Sequence, residues 1–327
     1  SAITLRVDAT DVSHRVQRVE QRLPVTGPGP LRLQIPKWLP GHHSPGGNPT
    51  TLSGLIAQVG EQRVEWRRDP LDPYAFLLDV PAGARELRLR YEFLAPLERD
   101  QGRVSITPAL LDVEWNEVVL YPAGLPASRI LVQPSVRLPA GWQQASALRD
   151  AQGQVPQPGS DGWVTYAPAS LETLVDSPLF AGPHMKRIEM DPPGTPQPVA
   201  LNLFADEASQ LEASPEQIEA HRRLVQQADK LYASRHWRHY DFLLSLSKSF
   251  GGIGLEHHES SENGVRPNYF KDWDKAINAR ELLPHEFTHS WNGKFRRPAD
   301  LTTPDFQVPM QNSLLWVYEG MTQYWGY

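Results

Sequence analysis

Five consecutive residues, His285-Glu286-Phe287-Thr288-His289, carry the strongest chemical signal in the chain. On a helix, positions four apart stack on one face, so both imidazoles can reach one ion. Zinc is held by ring nitrogens at about 2.0–2.1 Å. Glu286 follows the first of them, on the edge of that face. There its carboxylate can contact a water held by the ion more easily than the ion itself. Zinc lowers the pKa of such a water to about 7, and a carboxylate can take its proton. The motif predicts one Zn2+, two ligands (His285 and His289) and a catalytic general base (Glu286).

Catalytic zinc usually has three protein ligands and one open position. The chain contains no cysteine, so a thiolate is excluded and the third ligand must be an imidazole or a carboxylate. Glu319, 30 positions after His289, is the leading candidate. It lies in the apolar helical stretch Leu315-Trp316-Val317-Tyr318-Glu319-Gly320, where a carboxylate needs a reason to be. Pairing with Arg296 is the alternative. Asp300 and Asp305 compete as ligands but fall in a Pro-rich loop.

The elements that must position these residues follow from periodicity. Leu282, Leu283, Phe287 and Trp291 are apolar, which predicts a well-buried ligand helix. Pro284 immediately precedes His285 and predicts a kink or a restart of the helix there. Helical segments are expected around 274–294 and 313–325. Upstream, Ser214-Pro215-Glu216-Gln217 is a capping box with proline at the first helical position, so a helix should run to about Ser234. Val199–Phe204 and Tyr240–Leu246 read as strands.

The first half has a different character. Ile3–Asp8, Leu31–Ile35 and Leu87–Phe93 alternate apolar and polar, as half-buried strands do. Turn clusters such as Thr26-Gly27-Pro28-Gly29-Pro30 separate them, and the 31 prolines fit many short connections. The expected fold class is α+β: an N-terminal all-β sheet or sandwich domain over 1–172, then a catalytic domain over 173–327.

Composition bounds the function classes. With 327 residues the chain is long enough for two cores. Hydrophobic residues make up 40% and charged residues 21%, an ordinary globular balance. The net charge of −6 gives no electrostatic footprint for nucleic acid. No run approaches the roughly 18–20 apolar residues of a membrane span. His42 and His43 sit in a Pro/Gly loop and read as surface. His257 and His258 read as polar fillers.

The sequence from His285 to Gly293, followed by Trp316-Val317-Tyr318-Glu319-Gly320, resembles the gluzincin pattern of aminopeptidase N and its relatives. Tyr318 stands where those enzymes have asparagine. The stretch Lys294-Phe295-Arg296-Arg297-Pro298 and the Tyr-Glu-Gly are more similar to the glycyl aminopeptidases of the same clan. The likeness extends to Gly251-Gly252-Ile253-Gly254-Leu255-Glu256-His257-His258, and touches Trp38-Leu39-Pro40-Gly41 and Glu114-Trp115-Asn116-Glu117.

This resemblance implies a thermolysin-like catalytic domain beside the N-terminal sheets. It implies zinc on His285, His289 and Glu319. It implies that Glu256 binds the free amino terminus of the substrate, on a strand whose Gly254 and Leu255 also bind substrate. A cationic amine does need a carboxylate near the metal, and a strand edge lets a peptide add as one more strand. The glycines at 251, 252 and 254 fit close backbone approach.

The expected function is a zinc-dependent aminopeptidase that hydrolyses the N-terminal bond of peptides, with small first residues (Gly or Ala), by attack of a zinc-bound water activated by Glu286. The alternatives are a metalloendopeptidase, and a zinc-bearing peptide-binding module or inactive fragment. Family members carry an oxyanion-stabilising tyrosine well downstream of the third ligand, so further helical and PDZ-like parts are expected beyond Tyr327. Peptides are the expected partners. A periplasmic or secreted location is expected, with a cytoplasmic one as the alternative.

Overall fold

The computed structural model describes residues 2–250 and 252–327. Gly251 lies outside the described residues. The chain is mixed α+β, rich in sheets and sparing in helices.

The alternating segments become strands because each can bury one face. Ile3–Asp11 buries Ile3, Leu5 and Val7, while Arg6 faces solvent. Around it an eight-stranded sheet runs in the order Trp163–Thr165, Leu131–Arg137, Ile3–Asp11, Val16–Pro24, Glu86–Leu94, Leu52–Val59, Gln62–Val64, with Ala169–Ser170 also paired to Leu131–Arg137. A four-stranded sheet contains Gly29–Gln34 and Asp72–Val80. Leu5, Val19 and Leu89 of the first sheet share one core with Leu33, Phe76 and Leu78 of the second, as in a sandwich. That core continues through Ala181 and also takes in Phe306 from much later in the chain.

A third, three-stranded sheet joins Gln143–Ser146, Leu179–Gly182 and Leu111–Val113. It forms the platform for the second half. The five-stranded sheet of that half runs in the order Met185–Glu189, Val199–Ala205, Tyr240–Leu246, Ser260–Val265, Gly254–Glu256. Val199–Ala205 and Tyr240–Leu246 are parallel, and the helix Pro215–Tyr232 crosses between them. Both strands are buried along their whole length, as parallel strands covered on two faces are. Leu201, Leu203, Phe242 and Leu244 pack with Val225, Leu283, Phe287 and Trp291 on the helical side. Phe204 and Leu243 pack with Leu110, Ala145 and Phe180 of the platform on the other.

The capping box at Ser214 forms as expected, and the helix it opens ends at Tyr232 with Ala233 left-handed. The ligand helix is shorter than the period suggested. A single turn, Ile277–Arg280, precedes the helix Leu282–His289. Pro284 lies in the first turn of the latter, where an amide has no helical partner to lose, so the helix restarts there. The C-terminal segment combines a π-helical turn, Trp316–Gly320, with the helix Met321–Gly326. Among the described residues no helix is long and apolar enough to cross a membrane.

Candidate metal centre

The ligand helix buries Leu283 and Phe287 against the five-stranded sheet, and this turns His285 and His289 toward the C-terminal segment. His289 is buried, at 1% exposure, and His285 is half-buried. His289 Nδ1 donates to the carbonyl of Asn292 at 3.0 Å. A carbonyl can only accept, so Nδ1 carries a proton, and Nε2 is the nitrogen left to present a lone pair to an ion when the ring is neutral. His285 Nδ1 is likewise engaged by Gln323 Oε1 at 2.9 Å.

The two Nε2 atoms lie 3.1 Å apart, and Glu319 Oε2 lies 3.2 Å from His289 Nε2 and 3.3 Å from His285 Nε2. Three electron-pair donors thus converge in a nearly equilateral triangle. With bonds of about 2.0–2.1 Å, two ligands of a tetrahedral zinc stand about 3.3–3.4 Å apart. The residues present therefore fit a zinc ion in both donor type and spacing. Glu319 does not pair with Arg296, whose guanidinium lies over the Phe295 ring. Asp300 accepts from Ser313 and Leu314, and Asp305 caps the turn at Gln307 and Val308, so neither joins the cluster.

Glu319 reaches its place through the π-helical turn. Such turns recur at functional sites because the extra residue re-aims side chains. Asn292 Nδ2 donates to the Val317 carbonyl at 2.9 Å and to Thr322 Oγ1 at 3.0 Å, which fastens this turn to the end of the ligand helix.

The Glu286 carboxylate offers an oxygen within 4.8 Å of the imidazole nitrogens. Glu286 is 4% exposed, and its Oε2 has no hydrogen-bond partner among the described residues. Burial, with the Glu256 and Glu319 carboxylates nearby, pushes its pKa well above the ordinary value. A carboxylate so placed binds a proton readily. For Glu319, burial opposes the charge, but the imidazoles of His285, His289 and His43 that surround it outweigh this and hold the pKa far below the usual range.

Glu256 ends the edge strand Gly254–Glu256, which pairs antiparallel with Ser260–Val265. It is 3% exposed and accepts a hydrogen bond from the Tyr318 hydroxyl. Burial disfavours its charge, but His289, Lys294 and the Tyr318 hydroxyl outweigh this and lower its pKa. Gly254 packs against Glu286 and Leu282, and Leu255 lies against Gly41. Close backbone approach is therefore real at Gly254, whereas a Cβ on Gly252 would meet nothing within 4 Å.

His257 is held between Asp176 and Glu262, at 3.0 and 2.9 Å, and His258 Nε2 meets His236 Nδ1 at 2.8 Å. His257 is buried and His258 half-buried, both paired with polar partners. The surface reading of the 42–43 pair needs correction at one position. His42 is exposed, but His43 Nε2 lies 2.5 Å from Glu319 Oε1. The loop folds back over the cleft because Lys37 and Trp38 donate to the Phe306 carbonyl and Trp38 bridges to Pro45. Sequence reasoning missed His43, Tyr318, Asn292 and Gln323. His43 carried a signal only through the Trp38-Leu39-Pro40-Gly41 resemblance just upstream, Asn292 and Tyr318 only as members of the resembling stretches, and Gln323 none.

Comparison with known proteins places this geometry in context. The family model of the peptidase M61 N-terminal domain matches residues 4–183, and that of the M61 glycyl aminopeptidases matches residues 278–327. Among solved structures, an aminopeptidase N family protein from Idiomarina loihiensis aligns over 99% of this chain with a TM-score of 0.81 and 19% identity. An M1 zinc metallopeptidase from Deinococcus radiodurans aligns over the whole chain with a TM-score of 0.55 and 15% identity. A mutant M1 zinc metallopeptidase of Deinococcus radiodurans, bound to a Tyr-Ser-Ala substrate, gives 0.54 and 16%. At these identities the likeness is one of fold. The chain spans 53% of the Idiomarina protein and 69% of each Deinococcus structure. A search of curated proteins returned no match.

Proposed function

The chain belongs to the M61 glycyl aminopeptidase family, and from that premise we propose that it carries the zinc site of an aminopeptidase. The observation that supports this best is the convergence of His285 Nε2, His289 Nε2 and Glu319 Oε2 within 3.1–3.3 Å of one another. We assign these as the zinc ligands, Glu286 as general base, and Glu256, with Gly254 and Leu255, as the substrate-binding strand. The two-domain division, with a thermolysin-like catalytic half, belongs to the same proposal.

Zinc bound there supplies Lewis acidity and an acidified water. The remaining work falls to the chain. An extended peptide pairs with the free edge of Gly254–Glu256, and its α-ammonium meets the ionised Glu256 carboxylate. This pairing fixes which peptide bond lies at the metal. Glu286 takes a proton from the attacking water and passes it to the nitrogen of the breaking C–N bond, so that the amine leaves neutral. A small first residue, Gly or Ala, is the proposed preference.

The test is release of the chromophore from glycine and alanine anilides, with and without N-acetylation and with a zinc chelator. Cleavage of only the free-amine substrates, lost on chelation and regained with zinc, is the expected result. Equal cleavage of acetylated substrates would remove Glu256 from its role.

A further inference from the structure

We infer that His43, from the loop after the strand Gly29–Gln34, is a positioning residue of the metal site: it donates its Nε2 proton to Glu319 Oε1 and so commits Oε2 to the metal. The inference rests on the proposed zinc site and extends it to a residue of the N-terminal half.

The Glu319 carboxylate is shared between two sets of partners. Its Oε2 faces both ligand imidazoles, while its Oε1 lies 2.5 Å from His43 Nε2. A carboxylate left free could turn or bind an ion through both oxygens. A donor on one oxygen makes it a one-oxygen ligand of fixed direction, and such outer partners govern how well a preformed site holds its metal.

His43 is built to stay there. Its backbone is left-handed, with φ 55°, a conformation a non-glycine residue keeps only when its surroundings enforce it. Asn312 Nδ2 donates to its carbonyl at 2.9 Å. Its ring meets that of Tyr318 edge-on at 4.8 Å, and Tyr318 in turn lies 4.8 Å from the His289 ring and donates to Glu256. Two residues earlier, Gly41 has φ 90°, and a Cβ there would crowd Leu255 and the Glu256 carboxylate. The loop thus covers the ligand carboxylate and the Glu256 carboxylate together. His43, Glu256 and Glu319 also offer three possible ligand atoms within 4.8 Å. The 2.5 Å separation is that of a hydrogen bond, shorter than the spacing of two ligands on one ion, so His43 is assigned as a donor and not as a ligand of a second metal.

The experiment is zinc affinity, by competition with a chromophoric chelator, for the wild type, His43→Phe, His43→Gln and His289→Ala. Phenylalanine keeps a ring against Tyr318 but has no donor, and glutamine can place an amide N–H near the Nε2 position. His43→Phe is expected to bind zinc about 10–100-fold more weakly, with His43→Gln close to the wild type. Unchanged affinity in His43→Phe, or an equal loss in both variants, overturns the inference. So does a second equivalent of zinc that His43→Phe removes. His289→Ala separates this from failure of the site itself. If it binds zinc as the wild type does, the zinc site is wrong; if it abolishes binding while His43→Phe does not weaken it, only the role of His43 falls.

Discussion

Gly254 of the edge strand lies directly against the Glu286 carboxylate, so that a Cβ at position 254 would overlap Glu286 Oε1 and Leu282 Cδ1. The strand proposed to carry the substrate and the group proposed to move the proton are therefore in contact, with no atom to spare between them. Gly254→Ala must push Glu286 away. Displacing a catalytic group by about 1 Å can cost on the order of 10²-fold in rate. The expected outcome is a fall in kcat of that order with zinc content unchanged, read by steady-state kinetics beside elemental analysis. Full activity in the alanine variant would mean that Glu286 does not act from this position.

Glu286→Gln asks the question more directly. Glutamine keeps the size of the side chain and loses the ability to take a proton. Zinc should remain bound at one equivalent, because the ligand triangle does not include Glu286. Turnover should drop by about 10²–10⁴-fold. Retained turnover would remove Glu286 as the base.

What the sequence revealed and what it hid have a common physical cause. Ligand spacing along one helix is local, so His285, Glu286 and His289 were legible from their intervals alone. Alternation was legible for the same reason, and the strands Ile3–Asp11, Gly29–Gln34 and Glu86–Leu94 appear where the period placed them. Glu319 was visible as a charge in an apolar stretch, but the π-helical turn that aims it was not, because Asn292 holds that turn from 25 positions away. His43 lies 276 positions from Glu319, and no local pattern joins them. It sat among Pro and Gly residues, which normally mark surface loops. The loop is drawn inward by backbone bonds to Phe306, a contact between distant segments that composition does not encode.

Glu256 should govern which end of a peptide is recognised. Glu256→Gln removes the charge while still accepting the Tyr318 hydroxyl. For free-amine substrates kcat/KM should fall by about 10–100-fold, the loss of a charge-assisted contact worth roughly 1.5–3 kcal/mol. Any residual cleavage of N-acetylated substrates, which lack the ammonium, should be unaffected by the change. A parallel fall on both substrate types would show that Glu256 supports the fold or the metal rather than the amine.

His257 gives a prediction about stability rather than rate. Burial alone would drive its proton off, but hydrogen bonds to Asp176 and Glu262 outweigh burial and raise its pKa from 6.5 to about 9. The folded state therefore binds this proton more tightly than the unfolded chain does. The resulting stabilisation is fully present below pH 6.5 and is lost as pH rises through 9. A shift of this size corresponds to roughly 3 kcal/mol as an upper bound, since each pKa unit is worth about 1.36 kcal/mol. Urea unfolding of the wild type should show a fall of about 2–3 kcal/mol between pH 6.5 and pH 9.5. His257→Gln, which carries no titrating proton at this position, should start less stable and show a flatter profile over that interval. If the variant and the wild type lose stability in parallel, the proton that matters in this range is not on His257, and the Asp176–His257–Glu262 link contributes packing rather than charge.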